Sequence, residues 1–196
     1  FVNGRLSTPE ARSVVDPAKK VLEEFRKRSF NVFYVNDSHF DTDFEIKVWG
    51  PHALHASKES KIIDELKPLP NEYVLEKHVY SGFFGTPLDY LLRTKGVDSV
   101  FLIGLDADIC VRHTAADAFY RGYKTFIVED AVAAYLDKNW KEYFKKVYGS
   151  EIIKSQEVGA ILEKKWGSSW KFFILNLQGN FLFNYKDEDF KIKMFN

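Results

Sequence analysis

One cysteine in 196 residues excludes an internal disulfide, so nothing in this chain is stapled covalently. Charge of either sign is not in excess: 28 Lys and Arg balance 28 Asp and Glu. The balance gives no basic surplus to draw nucleic acid and no acidic tail. No apolar run approaches the length of a membrane span, and no charged-then-apolar leader opens the chain. Proline is scarce, at 6 residues, and no low-complexity segment or solenoid-period repeat is found. These absences exclude a disulfide scaffold, a nucleic-acid binder and a membrane protein as first readings, and they suit a reducing, cytoplasmic compartment. The chain opens on Phe1 with no initiator Met, as a truncated or processed chain does.

What the chain has is apolar and aromatic mass. Hydrophobic residues make up 45%, with 18 Phe and 10 Tyr, enough to build one sizeable core and to exclude general disorder. Val15, Ala18, Val21, Leu22 and Phe25 predict a helix within 9–28. Apolar or β-branched runs predict strands at 31–35, 72–75, 98–103, 125–128 and 151–153. Helices are expected between them at 57–66, 87–95, 110–121 and 138–148. Strands alternating with helices imply βαβ units with right-handed crossovers. The fold class is therefore α/β, a three-layer α/β/α Rossmann-like fold with a mostly parallel sheet. Residues 166–196 change character. A turn at Trp166–Trp170 leads into a strong strand from Lys171 to Asn176 and a second near 180–185. The division expected is 1–165 as the main domain and 166–196 as a C-terminal β extension, in its plainest form an added edge hairpin.

Three sets of residues carry chemistry. Val100 to Ile103 reads as a buried strand, broken at Gly104, with a helical pattern starting near Cys110. That places the one thiol at a strand–turn–helix junction, on the sheet edge where ligands bind in open α/β folds. A helix N-terminus stabilises a thiolate, and its free N–H groups suit an oxyanion; the plainer alternative is a packed core thiol. The second set is Asp37, His39 and His52. Asp-x-His at a strand end points two side chains the same way, and a loop His completes a two-His, one-carboxylate set for zinc or iron. On spacing alone, a turn-capping Asp37 with surface histidines is the better reading. His55 and His78 are weaker candidates, and His113 suits packing. The third is Lys77, which at a strand end stabilises negative charge or acidifies a thiol, though a solvated lysine is the ordinary alternative.

Taken together, these motifs resemble the isochorismatase-like cysteine hydrolases, whose amidase members include the nicotinamidases. The resemblance rests on Gly104-x-x-x-Asp108-x-Cys110-Val111-x-x-Thr114-Ala115-x-Asp117-Ala118, with Gly122-Tyr123-Lys124 and Val128-Glu129-Asp130-Ala131 following. Lys77 with Tyr80-Ser81-Gly82-Phe83-x-Gly85-Thr86, Val35-Asn36-Asp37-Ser38-His39, and Trp49-Gly50-Pro51-His52-Ala53 extend it from Phe1 to about Glu157. It implies hydrolysis of a small-molecule amide through a thioester, with Cys110 as nucleophile and Lys77 beside it. It implies an oxyanion hole from the backbone amides of Asp106 and Cys110, with a cis peptide at Leu105–Asp106. It maps Asp37, His39 and His52 onto the nicotinamidase metal ligands. No cofactor is then required for the chemistry, with zinc a candidate ion. Phe40, Trp49, Tyr80 and Phe83 are expected to line a flat aromatic pocket. A homo-oligomer is expected, with the aromatic tail as a candidate interface.

The family's first strand, which ends in the third triad residue, an Asp, looks absent from the start of this chain. Residues Phe172 to Phe181 are similar to it, with Asn176 in the Asp position. The expectation is that this tail fills the empty strand slot, where Asn176 would orient but not act as a base. Two alternatives to an active amidohydrolase therefore stay open. One is an impaired member that binds a small molecule or acts through its oligomer; the other is an isochorismatase-type hydrolase.

Overall fold

The computed structural model describes residues 8–137, 139–165 and 172–178. In chain order its elements are α1 (Pro9–Ser13), α2 (Val15–Lys27), β1 (Asn31–Asp37), α3 (Phe44–Trp49), β2 (Tyr73–Lys77), α4 (Leu88–Thr94) and β3 (Ser99–Leu105). There follow α5 (Cys110–Tyr120), β4 (Lys124–Ala133), α6 (Trp140–Tyr148), β5 (Glu151–Ile153), α7 (Val158–Lys165) and β6 (Phe172–Gln178). The described strands form one sheet in the order β2-β1-β6-β3-β4-β5, every pair parallel.

Strands β1, β3 and β4 read as largely apolar runs because both of their faces are covered. Successive side chains alternate across the pleat. Phe33 and Val35 of β1, with Val100 and Leu102 of β3, join one core with Leu88, Leu92, Val111, Ala115 and Phe144 from α4, α5 and α6. Val32, Tyr34, Phe101 and Ile103 point the other way, into a second core with Val21, Leu22 and Phe25 of α2 and Val158 and Leu162 of α7. The α2 side chains recur at helical spacing and are fully buried, each contributing on the order of 2 kcal/mol. Helix α6 stops at Gly149, whose φ of 63° is left-handed. No described helix is long and apolar enough to cross a membrane.

The expected helix at 57–66 forms only as a 3-10 turn at Asp64–Leu66. Ser57 and Ser60 bond each other's side chains and backbone instead, a local competition that diverts serine-rich segments from helix. The long helix expected at 9–28 is broken at Val14 into α1 and α2. Strand β6 lies between β1 and β3, with Asn176 opposite Tyr34 on one side and Ile103 on the other. That is an interior place, not the edge expected of an added hairpin. The turn at 166–170 and the second tail strand near 180–185 lie outside the described residues.

Candidate active site

Parallel strands deliver their carboxyl ends to one edge, and three candidate side chains arrive there together. Asp37 ends β1 and Lys77 ends β2, paired directly in register. Cys110 opens α5, just past β3. All three are enclosed, at 1%, 0% and 0% exposure. The Lys77 ammonium donates to Asp37 Oδ1, to the carbonyl of Val79 at 3.2 Å, and lies 3.6 Å from Cys110 Sγ.

Burial pushes the Cys110 thiol up, with the Lys77 ammonium opposing. Burial works against the Lys77 charge, yet the charge of Asp37 and its hydrogen bond outweigh it and hold the ammonium protonated. The resting site is thus a neutral thiol beside an Asp37–Lys77 ion pair.

The turn from β3 to α5 holds Cys110. The Leu105–Asp106 peptide is cis. The Asp106 carbonyl accepts from the N–H groups of Ile109 and Val111, both at 3.0 Å. The Asp108 carboxylate accepts the N–H groups of Tyr135, Leu136 and Asp137 at 2.8, 2.5 and 2.7 Å. This clamp brings the segment after β4 to the thiol: Trp49, Tyr80 and Tyr135 pack against Ile109 and Cys110. Trp49 Nε1 donates to Tyr80 Oη at 2.8 Å, and the Trp49 and Tyr135 rings meet edge to face.

Of the four expected pocket aromatics, Trp49 and Tyr80 face the thiol. Phe83 is instead buried in the α4–α5–α6 core, stacked on Tyr123. Ser81 bonds Asp117 and the Gly82 N–H bonds Thr114, which turns Phe83 inward. Phe40 is half exposed and stacks on His78. Tyr135 joins Trp49 and Tyr80, placed by the long-range hydrogen bond of its N–H to Asp108, which no local sequence pattern marks.

His39 and His52 do come together, their rings 4.6 Å apart. The carboxylate that completes a compact group with them is Glu45, at 3.9 Å from each Nε2. Asp37 is turned to Lys77 and keeps its Oδ1 4.0 Å from His39 Nε2. Glu45 lies in α3, inside a stretch whose sequence shows no periodicity, so nothing in its pattern marked it. His39 Nδ1 bonds Asp43 at 3.2 Å and His52 Nδ1 bonds the Gly50 carbonyl at 2.8 Å, which leaves Nε2 of each ring as the lone-pair atom. Burial keeps His39 below its usual range, hence neutral, and pushes Glu45 up to about 8. His39 Nε2 and Glu45 Oε1 are buried with no hydrogen-bond partner among the described residues. Two imidazoles and a carboxylate with such atoms facing one another fit a divalent ion such as zinc.

The remaining histidines sit elsewhere. His55 bonds Ser38, His78 bonds Asp43, and exposed His113 bonds the Ile109 carbonyl. Asn176 takes its place on β6 as given above.

The model of the isochorismatase domain matches residues 1–157. The uncharacterized isochorismatase family protein YwoC of Bacillus subtilis is 28% identical, over 82% of this chain and 88% of its own. N-carbamoylsarcosine amidase from Thermoplasma acidophilum superposes with a TM-score of 0.79 at 58% identity, covering 80% of this chain and 91% of that one. Nicotinamidase PncA from Bacillus subtilis superposes with a TM-score of 0.67 at 29% identity, covering 73% and 85%.

Proposed function

The chain belongs to the isochorismatase family of hydrolases, and from that premise we propose that it cleaves the C–N bond of a small-molecule carboxamide or carbamoyl compound through a Cys110 thioester. The observation that carries this reading is the buried chain Cys110–Lys77–Asp37. Its relatives named as amidases agree with it.

The chemistry follows from the charge states. The Lys77 ammonium has no lone pair, so it cannot simply take the thiol proton. It can pass one of its own protons to Asp37 while receiving the proton of Sγ–H, leaving a thiolate beside an ammonium and a neutral Asp37. The thiolate attacks the amide carbon, and the developing oxyanion is met by the backbone N–H groups of Asp106 and Cys110. As the C–N bond breaks, the proton held on Asp37 returns through Lys77 to the nitrogen, which leaves as ammonia or an amine. Water then adds to the thioester, giving one proton to the same chain, and collapse releases the acid and returns the proton to sulfur. In this reading Asp37 supplies the carboxylate of the triad, a task the amide of Asn176 could not perform.

His39, Glu45 and His52 would hold the zinc or similar ion, which acts when bound as a Lewis acid toward a donor atom of the substrate. Residues 1–165 and the strand within 166–196 would work as one catalytic unit, in a homo-oligomer of a reducing, cytoplasmic compartment.

The test is ammonia release from a panel of carboxamides and carbamoyl compounds. Cys110→Ala is expected to lower it at least about a thousandfold. Equal hydrolysis by parent and variant would sink the mechanism.

A further inference from the structure

The turn that carries the nucleophile holds two buried carboxyl groups in opposite conditions. Asp108 is 8% exposed and satisfied three times over, by the N–H groups of Tyr135, Leu136 and Asp137. Asp106 is 7% exposed, and its Oδ2 is sealed from solvent with no hydrogen-bond partner among the described residues. A carboxyl oxygen buried without a donor is costly, and folding alone gives no reason to keep one. Leucine would fill similar space at no such cost.

The position of Asp106 says what the missing donor serves. Asp106 directly follows β3 in the turn that ends at Cys110, and its carbonyl accepts the N–H groups of Ile109 and Val111 on either side of the thiol residue, so its buried carboxyl belongs to the same turn as Cys110. Burial, reinforced by Asp108 and Asp37, holds it well above the usual carboxylate range. A neutral carboxyl still offers its carbonyl oxygen as an acceptor, and no donor among the described residues reaches Oδ2.

On the amidase reading, the scissile carbonyl lies over Cys110 Sγ with its oxygen toward the backbone N–H of residue 106. The atom bonded to that carbonyl carbon is the leaving nitrogen, and it carries the N–H donors. We propose that the Asp106 side chain is the specificity-determining group of this site, accepting an N–H of the leaving nitrogen and so selecting carboxamides and carbamoyl compounds over esters. An ester offers no hydrogen there and leaves Oδ2 unpaired. Sites built around a buried polar group reject analogues that lack its partner far more strongly than apolar pockets reject a size mismatch.

The experiment compares kcat/KM for the best primary carboxamide of the panel and for its methyl ester in the wild type, Asp106→Asn and Asp106→Leu. Alkylation of Cys110 by iodoacetamide monitors the integrity of the turn. Asp106→Leu is expected to lower the amide-to-ester ratio at least about tenfold. Asp106→Asn, which keeps an acceptor oxygen at nearly the same place, stays within about threefold of the wild-type ratio. If Asp106→Leu does not fold, Asp106→Ala reads the same ratio without added bulk. A ratio unchanged in the Leu or Ala variant, with both substrates slowed alike, overturns the role of Asp106 and leaves the amidase reading standing. A wild-type protein that takes no amide overturns both.

Discussion

Cys110 is an enclosed thiol, and in the proposed mechanism its neighbours decide when it ionises. Burial favours its neutral form, and only Lys77 pulls toward the thiolate. The sign of the pH dependence follows: an acid pushed up by its surroundings stays protonated through neutral pH. Alkylation by iodoacetamide, measured without substrate, should be slow near pH 7 and climb with pH with no plateau below about pH 10. Lys77→Met removes the one favourable charge and should slow it further. A plateau below pH 8 in the wild type would mean a resting thiolate and contradict the relay. At this scale the sequence reveals much of the site. Cys110 and Lys77 stand out from strand ends and from motif, whereas Asp37, His39 and His52 stand out as a set only through the resemblance, since their spacing alone favours a turn cap and surface histidines. Which carboxylate serves which partner is not legible. The in-register pairing of β1 with β2 gives Asp37 to Lys77, while α3 brings Glu45 to the histidines, and both depend on contacts between distant segments.

Among the elements, β6 stands apart because both its neighbours depend on it. It pairs with β1 on one side and β3 on the other, so its N–H groups serve interior ladders. Read as the first strand, it turns the observed order into the doubly wound 3-2-1-4-5-6 arrangement. A proline cannot donate to a ladder and is confined to sheet edges. Leu175→Pro, opposite Phe33 and Leu102, should cost at least about 3 kcal/mol in denaturant unfolding, and an unchanged midpoint would mean that β6 does not hold this place in solution. Strands β1, β3 and β4 are legible because burial on both faces writes them as largely apolar runs. Short α3 and the 3-10 turn at Asp64–Leu66 are not, since neither presents a repeating face long enough to detect. Phe83 shows the same limit: two hydrogen bonds to α5 aim it, and neither partner is near it in sequence.

Among the described side chains, the two cores lie on opposite faces of one sheet and share strands β1, β3 and β4. Loss of either core exposes the other, so wild-type unfolding should be a single transition, with far-UV circular dichroism and tryptophan fluorescence coinciding. Separated transitions would show that the β2-β1 and β3-β4-β5 halves melt independently. The interior place of β6 also has a kinetic side. Strands β1 and β3 are made before the strand that joins them, which is the last of the described strands in chain order. Until that segment leaves the ribosome, the growing sheet carries two unpaired inner edges, each a template for another chain. Its closing contacts are among the least local the chain can make, a topology that folds slowly and is aggregation-exposed while it does so. Expression yield should therefore depend on chaperones and on the rate of synthesis more than the stability of the finished domain suggests.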